Sequence, residues 1–164
     1  MTDSVLAKLF EHHQWANLRL IQGCAALAEP HLDAKPRSPD WSIRLALIHL
    51  VESQQGYLEL LTLPLEARQP VSVPFAEIEE SARRSGEALL AIARDGESEL
   101  LRTRLRTRSG YFAEPWVVLL QAINHGHDHR RQVCDILRDL EIQAPALDGW
   151  TFGLDTKGLV KIGT

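Results

Sequence analysis

The sequence predicts an all-α protein: an up-and-down four-helix bundle with a small β-hairpin before the last helix. Three observations carry this. Apolar residues recur at helical spacing in four long segments, at about 4–27, 42–61, 75–94 and 115–140. Stretches rich in proline and turn residues separate the segments, and one short segment, 101–108, alternates with a period of two instead. The chain has 164 residues and no internal repeat, enough for one sizeable core, so a single domain over 1–164 is expected.

In the first segment Leu6, Leu9, Phe10, His13, Ala16, Leu20, Cys24 and Leu27 form one helical stripe. Glu29-Pro30 is expected to end that helix and to open a turn-rich connection through Asp40. Ser42, behind Trp41, suits an N-cap, and the run Leu45-Ala46-Leu47-Ile48-His49-Leu50-Val51 that follows reads as a helix buried on most sides. His49 is thereby carried into the core, where an unpaired polar group is costly. Pro64, Pro70 and Pro74 leave an extended loop before the third helix, and Asp95-Gly96 stops it.

Over 101–108, Leu and Thr fall on one face and Arg102, Arg104, Arg106 and Arg108 on the other. Ser109-Gly110 and Tyr111-Phe112 follow, which predicts a hairpin. Pro115, behind Glu114, fits the first turn of the fourth helix. Beyond Leu140, the stretch Asp148-Gly149-Trp150-Thr151-Phe152-Gly153 predicts an aromatic-anchored tail packed on the bundle.

Composition narrows the function. Hydrophobic content of 45% and charged content of 24% are ordinary for a globular domain, and a net charge of -4 gives no general attraction to nucleic acid or anionic lipid. The arginine row reads as a solvated edge that resists strand pairing. No signal-peptide pattern and no membrane-length apolar run is visible. Cys24 and Cys134 lack C-x-x-C spacing and read as small core residues in a reducing cytoplasm. The expectation is a cytoplasmic protein with no nucleic-acid or membrane partner.

The chemistry is concentrated in Asn124-His125-Gly126-His127-Asp128-His129-Arg130-Arg131-Gln132. His125 and His129 lie one turn apart on one face, so both imidazoles can reach one point, as a metal site requires. His127 falls on roughly the opposite side, about 200° away, and Asp128 about 60° off, where it could assist or replace a ligand. Inward residues of a bundle converge, so His49 of the second helix can supply a third nitrogen. Three nitrogens and a water match an open, catalytic-type site rather than a closed structural one.

His12 and His31 read as solvated and His13 as a hydrogen-bonded core histidine. His49 alone would read the same way, but three histidines buried on converging faces without a shared partner would accumulate unpaired polar groups. H-x-x-x-H is a weak signal without the glutamate of H-E-x-x-H, and Gly126 stands at that position. A mid-helix glycine costs about 1 kcal/mol against alanine, so either something packs closely there or the helix is distorted. Gln132 is either a hydrogen-bonding support for a ligand or a polar residue at a helix interface. Glu52, one turn after His49, is either a support or proton acceptor, or a solvated charge.

Trp15-Ala16-Asn17, Trp41-Ser42-Ile43 leading into His49-Leu50, and Asn124-His125-Gly126-x-x-His129-Arg130-x-Gln132 together resemble the DinB/YfiT-like family over essentially the whole chain. The resemblance implies a four-helix bundle, often a homodimer, with a divalent metal held by one histidine of the second helix and two of the fourth. Residue by residue these are His49, His125 and His129. It further implies thiol-dependent transfer or isomerisation of a small-molecule substrate, using a low-molecular-weight thiol such as bacillithiol or mycothiol. Asp128 stands where many relatives have another histidine and Arg131 where many have glycine, which alters the rim of the site.

Two functions remain open at this point. One is a metal-dependent enzyme of the thiol-dependent S-transferase, isomerase or hydrolase type. The other is a non-catalytic metal-binding or stress-related interaction protein. Three imidazoles suit zinc, nickel, iron or copper, with zinc or nickel placed first and iron next.

Overall fold

Ser4 starts the first helix: its side chain accepts a hydrogen bond from the Ala7 amide at 3.1 Å, satisfying one of the orphan donors of α1 (Val5–Ala25). The computed structural model describes residues 4–37, 40–96 and 98–162. Glu29-Pro30 opens a short helix, α2 (Glu29–Asp33), where a terminator was expected. The reason is local: proline in the first turn has no amide to leave unsatisfied, and Glu29 suits a helix N-terminus. Ser42 caps α3 (Ile43–Thr62), accepting from the Leu45 amide at 3.2 Å. An extended loop with two 3₁₀ turns leads to α4 (Ile78–Arg94), which ends at Asp95.

The expected arginine strand is mostly absent. A 3₁₀ turn held by Ser98 occupies Glu99–Leu101, and only β1 (Leu105–Arg106) and β2 (Phe112–Ala113) pair, antiparallel, with Leu105 opposite Ala113. Arg104 is drawn to Glu114 at 2.6 Å and Arg108 donates to the Arg68 carbonyl, so the four arginines do not share a strand face. Then come α5 (Pro115–Asp139) and α6 (Gly149–Asp155). Asp148 caps α6 through the Trp150 and Thr151 amides. The tail is anchored by Phe152, whose ring lies 5.4 Å from both His12 and Trp15, while Trp150 is 74% exposed.

The four long helices α1, α3, α4 and α5 form the bundle, with α1 and α3 each packed on both α4 and α5. Its core is two apolar clusters. One holds Leu20, Ile43, Leu47, Leu50, Val133 and Ile136; the other holds Phe10, Leu61, Leu89, Val118 and Leu119. The chain meets the second cluster first in α1 and α5, and the first cluster first in α3 and α4. The order is therefore up-down-down-up, and the long proline loop between α3 and α4 is the crossover that a parallel pair needs. A buried polar layer of His13, Asn17, Gln54, Ser85 and Arg130 separates the clusters. No helix among the described residues is long and apolar enough to cross a membrane.

Candidate metal centre

Helix periodicity sets His125 and His129 one above the other on α5, and α3 brings His49 across from them. The ring centroids are 4.4 Å apart for His125 and His129, 4.7 Å for His49 and His129, and 5.1 Å for His49 and His125. One nitrogen from each lies within 4.8 Å of the other two. Trp41 covers the cluster, its rings 5.4 Å from His49 and 5.3 Å from His129, and Tyr57 presents an edge to His125.

Nitrogen by nitrogen, the cluster is arranged to donate lone pairs. Gln132 Oε1 lies 2.9 Å from His129 Nδ1. An amide oxygen only accepts, so Nδ1 carries the proton and Nε2 keeps its lone pair. His125 Nε2 is the one buried side-chain nitrogen or oxygen among the described residues without a hydrogen-bond partner. Burial, and then the neighbouring His129 and His49, push His125 down to about 4 against an opposing pull from Asp128. His129 is also lowered, chiefly by burial. Both rings are therefore neutral at pH 7, the form that binds metals. Buried polar atoms are rarely left unpaired, and a cation shared with nitrogens of His49 and His129 is the partner whose chemistry fits His125 Nε2.

The DinB family model matches residues 1–154 of this sequence. The chain belongs to the DinB family. Its structure is similar to that of a DinB-family protein from Exiguobacterium sibiricum, with a TM-score of 0.68 at 18% identity over 90% of this chain and 100% of that one. A DinB-like protein from Bacillus cereus gives 0.66 at 19% identity, over 89% and 99%. At these identities the likeness is one of fold. No curated protein matches the sequence significantly.

In this DinB-family chain two openings lie near the histidines: one reaches Trp41 and Gln132, which touch His129, and the other includes His49 itself. A cleft of about 330 Å³ is lined by Arg37, Trp41, Asp128, Arg131 and Gln132. A groove of about 410 Å³ runs past His49, Glu52, Ser53, Arg68 and Arg108. Asp128 is exposed and outside the histidine cluster, and His127 is exposed, as its helical phase predicts. Glu52 shares the groove with His49, but its Oε1 accepts from the Val73 amide at 3.0 Å and so ties down the proline loop. Ser53 Oγ lies 3.5 Å from His49 Nε2, at the limit of a hydrogen bond.

Gly126 answers the question its position raised. A Cβ there would lie 2.4 Å from His13 Cε1, so α1 packs its imidazole directly onto the α5 backbone. His13 belongs to the polar layer, which sequence reasoning did not assemble. Arg130 Nη1 donates to Asn17 Oδ1 at 2.6 Å and meets His13 Nδ1 at 3.3 Å. Arginine only donates, so His13 Nδ1 accepts and its Nε2–H turns to Gln54 Oε1 at 3.1 Å. Asn17 donates to the same oxygen at 2.8 Å, and Gln54 Nε2 donates to Ala82 O and Ser85 Oγ. All four long helices are thus joined through one buried hydrogen-bonded layer.

The sequence did carry a signal for this layer. Arg130 falls on the apolar stripe Ala122, Gly126, Val133, Leu137, which a solvated arginine would avoid. His31 is exposed, as expected, but His12 is not solvated: it is half-buried, and its Nε2 donates to the Leu147 carbonyl at 2.8 Å.

Proposed function

We propose that this protein is a metal-dependent enzyme of the thiol-dependent transferase, isomerase or hydrolase type, with His49, His125 and His129 as ligands of a divalent ion, zinc or nickel before iron. The observation that supports it most is the partnerless, buried His125 Nε2 in a cluster of three converging imidazoles. Bound there, such an ion would supply Lewis acidity, favouring the deprotonated form of a coordinated water or low-molecular-weight thiol.

The chain's own residues do the rest. Gln132 holds the His129 ring in the ligand tautomer. Trp41 keeps bulk water off His49 and His129. Asp128 does not close the set, which leaves a position for a small molecule entering from the cleft or the groove. Glu52 stands in the groove as the candidate proton acceptor, and the protein acts as a homodimer in the cytoplasm under this proposal.

The test is a screen of metal-loaded protein with low-molecular-weight thiols and electrophilic small molecules, using His125→Ala as the blank. Turnover that needs both metal and thiol supports the transferase reading. Metal-dependent turnover of water-labile substrates without thiol supports hydrolysis. Stoichiometric metal with no turnover of either kind supports a non-catalytic metal-binding protein.

A further inference from the structure

On the side of α5 that carries His127, away from the histidine cluster, a cleft of about 320 Å³ opens between α5 and residues 145–148. Its wall is held by the bond from His12 Nε2 to the Leu147 carbonyl. Arg130 lines the cleft, yet only 4% of that residue is exposed. Its Nη1 is used on Asn17 and His13. The three N–H groups on Nε and Nη2 have no partner among the described residues, and neither nitrogen is sealed from solvent. No carboxylate among the described residues pairs with this guanidinium.

The rest of the lining adds positive charge. Arg138 and Arg131 share one carboxylate, Asp135, and Arg131 stands 3.9 Å from it. Asp148 is committed to capping α6, accepting from the Trp150 and Thr151 amides and the Thr151 hydroxyl. A buried cation without an anion, with a free edge at a positively lined cleft, is an incomplete arrangement. The Nε/Nη2 edge of a guanidinium is the fork that takes two oxygens of one oxyanion.

We propose that this cleft binds a phosphate-class oxyanion, seated on the Nε and Nη2 edge of Arg130 and flanked by Arg131 and Arg138. Its volume, at the lower end of small-molecule pockets, leaves room for a body attached to the phosphate. The site shares Arg131 with the cleft beside the histidine cluster but contains none of the three histidines, and it does not depend on how that cluster is read.

The test is calorimetric titration with inorganic phosphate and with ribose 5-phosphate, at ionic strength held constant with chloride, before and after chelation of metal. Saturable one-to-one binding that survives chelation is expected. It should weaken at least tenfold in Arg130→Met, which replaces the buried charge by an apolar chain of similar length, and severalfold in the surface variant Arg131→Gln/Arg138→Gln. If Arg130→Met does not fold, the surface variant decides. Tighter binding of ribose 5-phosphate identifies an esterified phosphate as the ligand, and equal binding identifies free phosphate. Heats that follow ionic strength alone, binding lost on chelation, or binding unchanged in the folded variants would overturn the proposal.

Discussion

Replacing Gly126 by alanine should destabilise this protein, although helix propensity alone predicts the reverse. In a helix interior, alanine is favoured over glycine by about 1 kcal/mol. At position 126, however, the new methyl would stand 2.4 Å from His13 Cε1, 3.0 Å from His13 Nδ1 and 3.1 Å from Arg130 Nη1. The His13 ring is not a flexible chain end that can swing aside. It is 1% exposed and held between Gln54 and Arg130. Moving it by the ångström or so needed for ordinary contact loosens both bonds, and a buried polar group left unmatched costs about 1–3 kcal/mol. Overpacking adds about 1–3 kcal/mol. Net of propensity, a loss of roughly 1–5 kcal/mol is expected, a fall in Tm of about 2–20 °C for a chain of this size. Gly56 is the control, because a Cβ there meets nothing within 4 Å and Gly56→Ala should stabilise α3 by up to about 1 kcal/mol. Urea and thermal melts of both variants give the signs. A Gly126→Ala protein that melts at or above the wild type would refute the packing argument.

Further outcomes follow from the same geometry. Alanine at His49, His125 or His129 should lower divalent-metal affinity sharply in calorimetric titration, His127→Ala should not, and Gln132→Leu should cost roughly 10–100-fold. Burial, and then Arg130, push His13 from its ordinary 6.5 to about 3. Between those values the unfolded chain binds a proton that the folded one does not, so this stability is complete above pH 6.5 and is lost progressively as pH falls toward 3. It amounts to up to about 5 kcal/mol. Urea titrations from pH 7 to 4 should show that slope, and His13→Gln should reduce it, leaving the part that the lowered His125, His129 and His12 contribute. Duplex DNA should bind weakly and be released by moderate salt in a filter assay. Arg104 is paired with Glu114 and the arginines share no face, so few phosphates could be neutralised.

The parts of the structure that were legible in the sequence are those governed by a single period. The cap at Ser42 and the stop at Asp95 come from local hydrogen-bond accounting, and the one-turn spacing of His125 and His129 from helical geometry. Gly126 was readable as a sign of close packing but not of its partner, because the approach of His13 is set by how α1 and α5 pack. Alternation over 101–108 overstated a strand, since Ser98 and Glu114 offered nearer partners than a ladder did. Gln54, Asn17 and Arg130 became a network only once four helices were brought together. Each alone looks like an ordinary polar residue, and only their positions on buried stripes betray them.

The central claim, a three-histidine site with an open position, is tested most directly by cobalt(II) substitution. The electronic spectrum should be recorded before and after adding a low-molecular-weight thiol, in wild type and in His125→Ala. The account predicts one ion per chain, a visible spectrum that changes on thiol addition with a new thiolate-to-metal band, and no such band in the variant. Four apolar helices hold the fold without help, so the metal-free chain should remain helical. Failure to bind one cobalt per chain, a spectrum indifferent to thiol, or a chain that unfolds when the metal is chelated would contradict it.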